Sequence, residues 1–342
     1  MKKFLIIGPA WVGDMVMSQS LYRLIKSIHP GAWITVLAPT YTLPLLNAMP
    51  EVDEAIAGDF PRKKLSFFRR FMFGRELSKK GFTDAIVLPN SWKSALVPFF
   101  ARIPNRTGFI GECRYGLLND IRRLQAKKWP RMIDRFCVLG VSKKSNSLPL
   151  YPSPQLLLSS DAVANTIQKF NVNRDKPILA LCPGAEFGPA KQWPARYFAE
   201  LALAQAKEGW AVWIFGSKKD EKISAEIENI LAAGHVTARN FSGKTSLEEA
   251  MALLSISNQV VSNDSGLMHI ASALHRPVLA IYGSTSPGFT PPLFSGAKIV
   301  KLDLPCQPCF KRVCPFKKDD PRYMSCLNGL TPQQVESHLM GN

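Results

Sequence analysis

The feature that most restricts this chain is the alternation of short strand-like runs with helical patterns, kept up almost from end to end. Runs of this kind, bounded by turn residues and separated by periodic segments, build parallel sheets covered by helices. In the first half the runs are 3–8, 34–39, 85–90 and 106–111, with helical patterns near 14–28, 66–80, 91–101 and 130–140. A stretch rich in Ser and Pro without period, 142–160, reads as the approach to a linker. A second series follows at 177–184, 211–217, 236–243, 259–266 and 277–283, each run ending in a short glycine-containing turn. In open parallel sheets the carboxyl ends of the strands face the ligand crevice. The expected fold class is therefore α/β: two doubly wound, Rossmann-like domains turned toward a central cleft.

At 342 residues the length suits two domains. The start, MKKFLIIGPAWVGD, has a basic lead, but its apolar run is too short for a secretory signal. No stretch approaches the roughly 20 apolar residues of a membrane span. These features point to a cytoplasmic protein. Lys and Arg number 43 against 26 Asp and Glu, a formal net charge of +17. Such an excess favours anionic partners without choosing among nucleic acid, acidic lipid and acidic glycan.

Four stretches carry chemistry. The first, GPAWVGDM, has the Gly8-x4-Gly13 spacing of a phosphate loop, but Asp14 and Met15 replace the Lys-Ser/Thr that such a loop needs. Asp14 reads either as a residue satisfying a helix N-terminus or as a general base. The strongest signal is SNDSGLMH, where Asp264, Ser265 and Gly266 open a helix at a strand end and His269 follows on its first turn. Backbone N–H groups there form an anion site. The third, CPGAEFGPAKQWP, carries Glu186, an expected donor contact, and places Lys191 where an ammonium could neutralise a leaving diphosphate. The fourth, FGSKKDE, ends a strand with Asp220, which could accept from ribose hydroxyls.

These elements, in this order, resemble glycosyltransferase family 9. The resemblance rests on GPAWVGDMVMSQSLYR, LPNSWKSALVPFFARIPNRTGFIGECRYGLLND, CPGAEFGPAKQWP, SNDSGLMHIASALHRP and FTPPL, and covers about residues 1–295. It implies a GT-B fold with an acceptor domain at 1–165 and a nucleotide-sugar domain at 172–325. A C-terminal helix at 326–342 would pack back on the first domain. It further implies inverting transfer of L-glycero-D-manno-heptose from ADP-heptose to the first heptose of the lipopolysaccharide inner core, by a monomer at the inner face of the inner membrane. Position by position, Asp14 matches the base and Lys191 the lysine at the diphosphate. Asp220 matches the acid at the ribose, and Thr245 lines the adenine pocket. Asp264, Ser265, Gly266 and His269 match the set around phosphate and heptose. Gly13, Asn90, Lys93, Arg106 and Arg114 are the expected acceptor contacts, with Arg102, Arg122 and Arg123 as further guanidinium candidates for acidic sugars.

A sugar-nucleotide epimerase of the same fold and, from the charge alone, a nucleic-acid-binding protein are the alternatives. No cofactor is required by this chemistry. The spacing Cys306-x2-Cys309-x4-Cys314-x11-Cys326 is compatible with a structural four-thiolate zinc, and equally with a metal-free loop or disulfides. The segment 60–82 interleaves Lys and Arg with Phe, as an interfacial helix does and as an ordinary basic, half-buried helix also can.

Overall fold

The computed structural model describes residues 1–61, 64–145 and 147–339. The chain divides into two compact units, Met1–Leu157 and Leu158–Asn342. The boundary thus falls ahead of the expected 165–172. The helix at 160–169 belongs to the second unit, where it packs against the helix at 247–255.

The first unit runs β1 (Lys3–Ile7), α1 (Val12–Ile28), β2 (Trp33–Ala38), α2 (Leu43–Asn47), β3 (Glu54–Ala57), α3 (Phe67–Leu77), β4 (Asp84–Val87), α4 (Leu96–Phe100), β5 (Asn105–Phe109), β6 (Asp120–Arg122) and α5 (Met132–Cys137). All strand pairs are parallel, in the order β3-β2-β1-β4-β5-β6. Central strands buried on both faces need no polar alternation, which is why KFLII reads as one apolar run. The strand order reverses between β1 and β4, so the crevice of this sheet opens at their carboxyl ends. Edge strands β3 and β6 escape sequence reading because they are short and only partly buried.

The Ser/Pro-rich stretch is no free linker. Gln19 of α1 donates to the Gln155 carbonyl (2.6 Å) and accepts from its N–H (2.8 Å), and Ser20 donates to the Pro152 carbonyl (2.7 Å). Those bonds explain how Gln19 and Ser20 can be buried on an otherwise apolar helix.

The second unit repeats the plan. It runs α6 (Ser160–Lys169), β7 (Ile178–Cys182), α7 (Ala195–Lys207), β8 (Ala211–Ile214), α8 (Glu221–Ala233), β9 (Arg239–Asn240), α9 (Leu247–Ser255), β10 (Gln259–Asn263), α10 (Gly266–Ala273), β11 (Val278–Ile281), β12 (Lys298–Val300), α11 (Ser325–Asn328) and α12 (Pro332–Glu336). Its sheet is ordered β12-β11-β10-β7-β8-β9 and is again all parallel, with the reversal between β7 and β10. Counted within the unit, this is the strand order of the first sheet, and two such units on one chain are the parts of a GT-B fold.

The C-terminal segment corrects an expectation. Leu327, Leu330, Val335 and Leu339 enter the core of the second unit beside Trp193 and Phe198. The Trp193 indole donates to the Leu330 carbonyl (2.8 Å), and Gln205 of α7 donates to Glu336 of α12 (3.0 Å). Apolar burial against α7 fixes these last helices in the second unit, where the sequence had suggested the first.

Candidate active site

Each sheet gathers polar side chains at its own point of strand reversal. In the first unit a cavity of about 410 Å³ lies at the carboxyl ends of β1, β2 and β4. Asp14, Asn90 and Lys93 line it together with Trp11, Phe60, Arg70 and Met132. Asp14 occupies the first turn of α1, whose N-cap, Trp11, makes no side-chain cap. A carboxylate there is favoured by the helix dipole. Gly13 precedes it in the same turn but is not among the lining residues.

Two expected acceptor contacts are corrected. Arg114 is fully buried, and its guanidinium donates to the carbonyls of Phe109 (3.1 Å from Nε) and Pro89 (2.7 Å) and to Ser94. Burial lowers its pKa to about 10. Arg106 donates to the carbonyls of Leu117 (2.7 Å) and Ile103 (2.6 Å). Both clasp backbone around β4 and β5, and neither lines the cavity. Arg122 likewise pairs with Asp120 (2.6 Å), while Arg102 and Arg123 are exposed outside the cavity lining.

In the second unit the key contact is between Lys191, on the turn after β7, and Asp264, at the end of β10. The Nζ lies 2.6 Å from the Asp264 carboxylate and 3.3 Å from its carbonyl. Thr285, after β11, donates to the same carboxylate oxygen (2.6 Å). An ammonium has three N–H bonds, and Asp264 engages two of Lys191's. The ammonium also sits over the Phe187 ring, 5.1 Å from its centroid. Asn263 holds the two loops in register, accepting from the Trp193 N–H (3.1 Å) and donating to the Pro183 carbonyl (2.7 Å). A buried polar residue at a strand end is affordable only with such partners.

Ser265, the N-cap of α10, turns its hydroxyl toward Ser262 (3.2 Å) and makes no side-chain cap. The first N–H groups of the helix, beginning at Gly266, therefore lack a side-chain acceptor, the arrangement that receives anions. His269, one turn on, is almost wholly buried, and burial lowers its pKa to about 4, so the imidazole is neutral near pH 7.

Asp220 lies beyond β8 and closes a capping box on Ser217, accepting from its N–H (2.8 Å) and hydroxyl (2.7 Å). A Cβ on Gly184 would stand 2.5 Å from the Asp220 carboxyl carbon, so only glycine lets this carboxylate lie over the turn after β7. Glu186 is exposed and pairs with Lys219 (2.6 Å). Thr245 lies half-buried in the turn before α9. Sequence reasoning missed Thr285, Asn263 and Phe187. Their signal was faint: a polar or aromatic residue beside a strand-end glycine or acid.

The four cysteines Cys306, Cys309, Cys314 and Cys326 line one cavity of about 20 Å³ with Ser284 and Gln307. Among the described residues, however, no group of three or more His, Cys, Asp or Glu side chains is placed to hold a metal ion.

Two Rossmann-type units on one chain, with Asp14 at one strand reversal and Lys191, His269 and the start of α10 at the other, have the architecture of the GT-B class of sugar-nucleotide enzymes. The model of "Glycosyltransferase family 9 (heptosyltransferase)" matches residues 70–319. The chain is 47% identical to lipopolysaccharide heptosyltransferase 2 of Escherichia coli K12 over 308 residues, 88% of each protein. It is 45% identical to lipooligosaccharide heptosyltransferase 2 of Haemophilus influenzae, over 87% of this chain and 88% of that one. The solved structure of E. coli ADP-heptose LPS heptosyltransferase II superimposes with a TM-score of 0.86 at 42% identity, covering 99% of this chain and 97% of that one. The chain belongs to glycosyltransferase family 9, and the epimerase reading is set aside.

Proposed function

We propose that this protein is an inverting heptosyltransferase of lipopolysaccharide assembly. It moves L-glycero-D-manno-heptose from ADP-heptose to the first heptose of the lipid A–Kdo–heptose acceptor, as a monomer at the cytoplasmic face of the inner membrane. The observation that carries this reading is the 47% identity, over 88% of both chains, to a curated lipopolysaccharide heptosyltransferase 2.

The acceptor sugar binds in the first unit's cavity, where Asn90 and Lys93 offer hydrogen bonds and charge. The Asp14 carboxylate takes the proton from the acceptor hydroxyl as its oxygen attacks the anomeric carbon. The bond from that carbon to the diphosphate oxygen breaks, and ADP leaves with the electron pair. Negative charge grows on the leaving diphosphate, and groups fixed beforehand stabilise it best. Lys191, held by Asp264, turns its third N–H to a phosphate oxygen, and the start of α10 at Ser265 and Gly266 supplies backbone N–H groups. Neutral His269 serves as an uncharged hydrogen-bonding partner, Asp220 accepts from the ribose, and Thr245 borders the adenine.

Transfer from ADP-heptose to a heptose-terminated core acceptor, compared between the wild type and Asp14→Asn, tests the assignment. A general base contributes about 10²- to 10⁴-fold, and a fall in turnover of that size is expected with little change in KM for the donor. Unchanged turnover refutes the base. Transfer from a different sugar nucleotide, with none from ADP-heptose, refutes the donor.

A further inference from the structure

Helix α3 is apolar on the wrong side for a helix that only covers a sheet. Its inward residues are Arg70, Gly74 and Leu77. A Cβ on Gly74 would meet the Phe100 Cβ at 2.6 Å and the Val97 carbonyl at 2.8 Å, so α3 lies hard against α4. The opposite stripe should be polar. Instead it carries Phe68 (72% exposed), Phe71 and Met72 (53% exposed), with Phe67 and Leu65 beside it and Phe99 of α4 adjoining. The rings form one surface through edge contacts of Phe67, Phe71 and Phe99 with Phe100.

Charge surrounds this patch with one sign. Residues 64–80 hold Lys64, Arg69, Arg75, Lys79 and Lys80 on the outside of the helix against the single acid Glu76, with Lys80 paired to Glu54 and Arg70 turned inward. Arg62 and Lys63, basic in the sequence, lie outside the described residues. Among the described residues, no helix is long and apolar enough to cross a membrane. Exposed aromatics ringed by cations on a short helix suit the interface of an anionic bilayer, where rings enter the acyl boundary and cations meet phosphates.

The inner face of the same helix supplies a second observation. Arg70 lines the Asp14 cavity together with Phe60, and its guanidinium stacks on that ring, 4.1 Å from the centroid. The patch and the cavity are therefore separated by the thickness of one helix, about 10 Å.

We infer that the outer face of α3, continued by Leu65 and Phe99, is a docking surface for an anionic lipid bilayer, which brings the carbohydrate of a membrane-anchored acceptor to the Asp14 cavity. This rests on the reading of the acceptor as a glycolipid, and it adds the surface and the orientation. Phe68 and Met72 enter the bilayer, and Arg69, Arg75 and Lys79 meet the headgroups.

The test is co-sedimentation of the full chain with vesicles of phosphatidylethanolamine and phosphatidylglycerol, and separately with phosphatidylcholine alone. The wild type is expected to bind the anionic vesicles at least tenfold more tightly than the neutral ones. Phe68→Ser/Met72→Ser should weaken anionic binding at least tenfold, and Arg75→Gln/Lys79→Gln should reduce it and flatten its salt dependence. Both variants should transfer heptose to a lipid-free core oligosaccharide at the wild-type rate, because these side chains lie outside the cavity. Wild type that stays in the supernatant overturns the inference, as does equal pelleting by the serine variant. A wild-type dimer that the serine variant converts to monomer also overturns it, by showing that a second copy covers the patch. If the wild type binds vesicles but transfers no heptose to the lipid-free acceptor, the functional reading fails while the docking surface stands.

Discussion

The ion pair between Lys191 and Asp264 makes a demanding test of the second unit's site. Lys191→Met keeps most of the side-chain volume but removes the cation from beside a carboxylate that is 4% exposed. At the observed 2.6 Å and an effective dielectric of 20, the direct attraction is about 6 kcal/mol. Removing the ammonium also removes its own desolvation penalty. The net cost should fall near the ~3–5 kcal/mol typical of stranding one member of a buried pair. Adding Asp264→Asn takes the charge away while keeping an acceptor for the Thr285 hydroxyl, so the double variant should return to within about 1–2 kcal/mol of wild type. Urea unfolding at pH 7, followed by tryptophan fluorescence that includes buried Trp193 and Trp213 of this unit, measures these differences. Turnover should behave differently. Both variants lack the charge for the departing diphosphate, so kcat should fall about 10²- to 10³-fold in each, with no recovery in the double. The reasoning is refuted if Lys191→Met costs less than 1 kcal/mol, if the double variant is the less stable of the two, or if either turns over normally.

Two further predictions follow from burial. His269 is held neutral with a pKa near 4, whereas an unfolded chain protonates histidine near 6.5. As pH falls through that window the unfolded state takes the proton first, so stability drops by about 3 kcal/mol and levels off below pH 4. The difference in unfolding free energy between wild type and His269→Gln should be constant above pH 7 and shift by that amount by pH 4; a flat difference refutes it. Arg114→Met takes the guanidinium donor from the Phe109 carbonyl and leaves the Pro89 carbonyl with the Ser94 hydroxyl alone, and denaturant melts should show a loss of about 1–3 kcal/mol. The ratio of KM values for phosphorylated and dephosphorylated acceptors should stay as in wild type, because Arg114 grips backbone and not sugar. A changed ratio would restore it to the acceptor site.

Much of the fold was legible locally. Continuous apolar runs marked the central strands of both sheets because a parallel strand covered on both faces carries its burial in its own composition. Edge strands β3, β6 and β12 were invisible because three or four residues with little burial carry almost no pattern. Asp14, Asp264 and His269, just beyond strand ends, stood out because acids and a histidine within a few residues of a glycine after a strand-like run are chemically conspicuous. Arg106 and Arg114 misled for the same reason: a guanidinium looks alike in sequence whether it meets a sugar acid or two backbone carbonyls.

The sequence by itself determined the alternation of strand and helix, the two-unit plan and the residue types available at each strand end, since all of these reside in local periodicity and chemistry. The tertiary structure decided which of those residues meet. It brought Lys191 and Thr285 to Asp264 and folded the last helices onto α7. It closed Arg114 inside the first sheet and turned the phenylalanines of α3 outward. Strand order and side-chain burial set these outcomes, and both depend on pairings between residues tens of positions apart, which no local stretch of sequence contains.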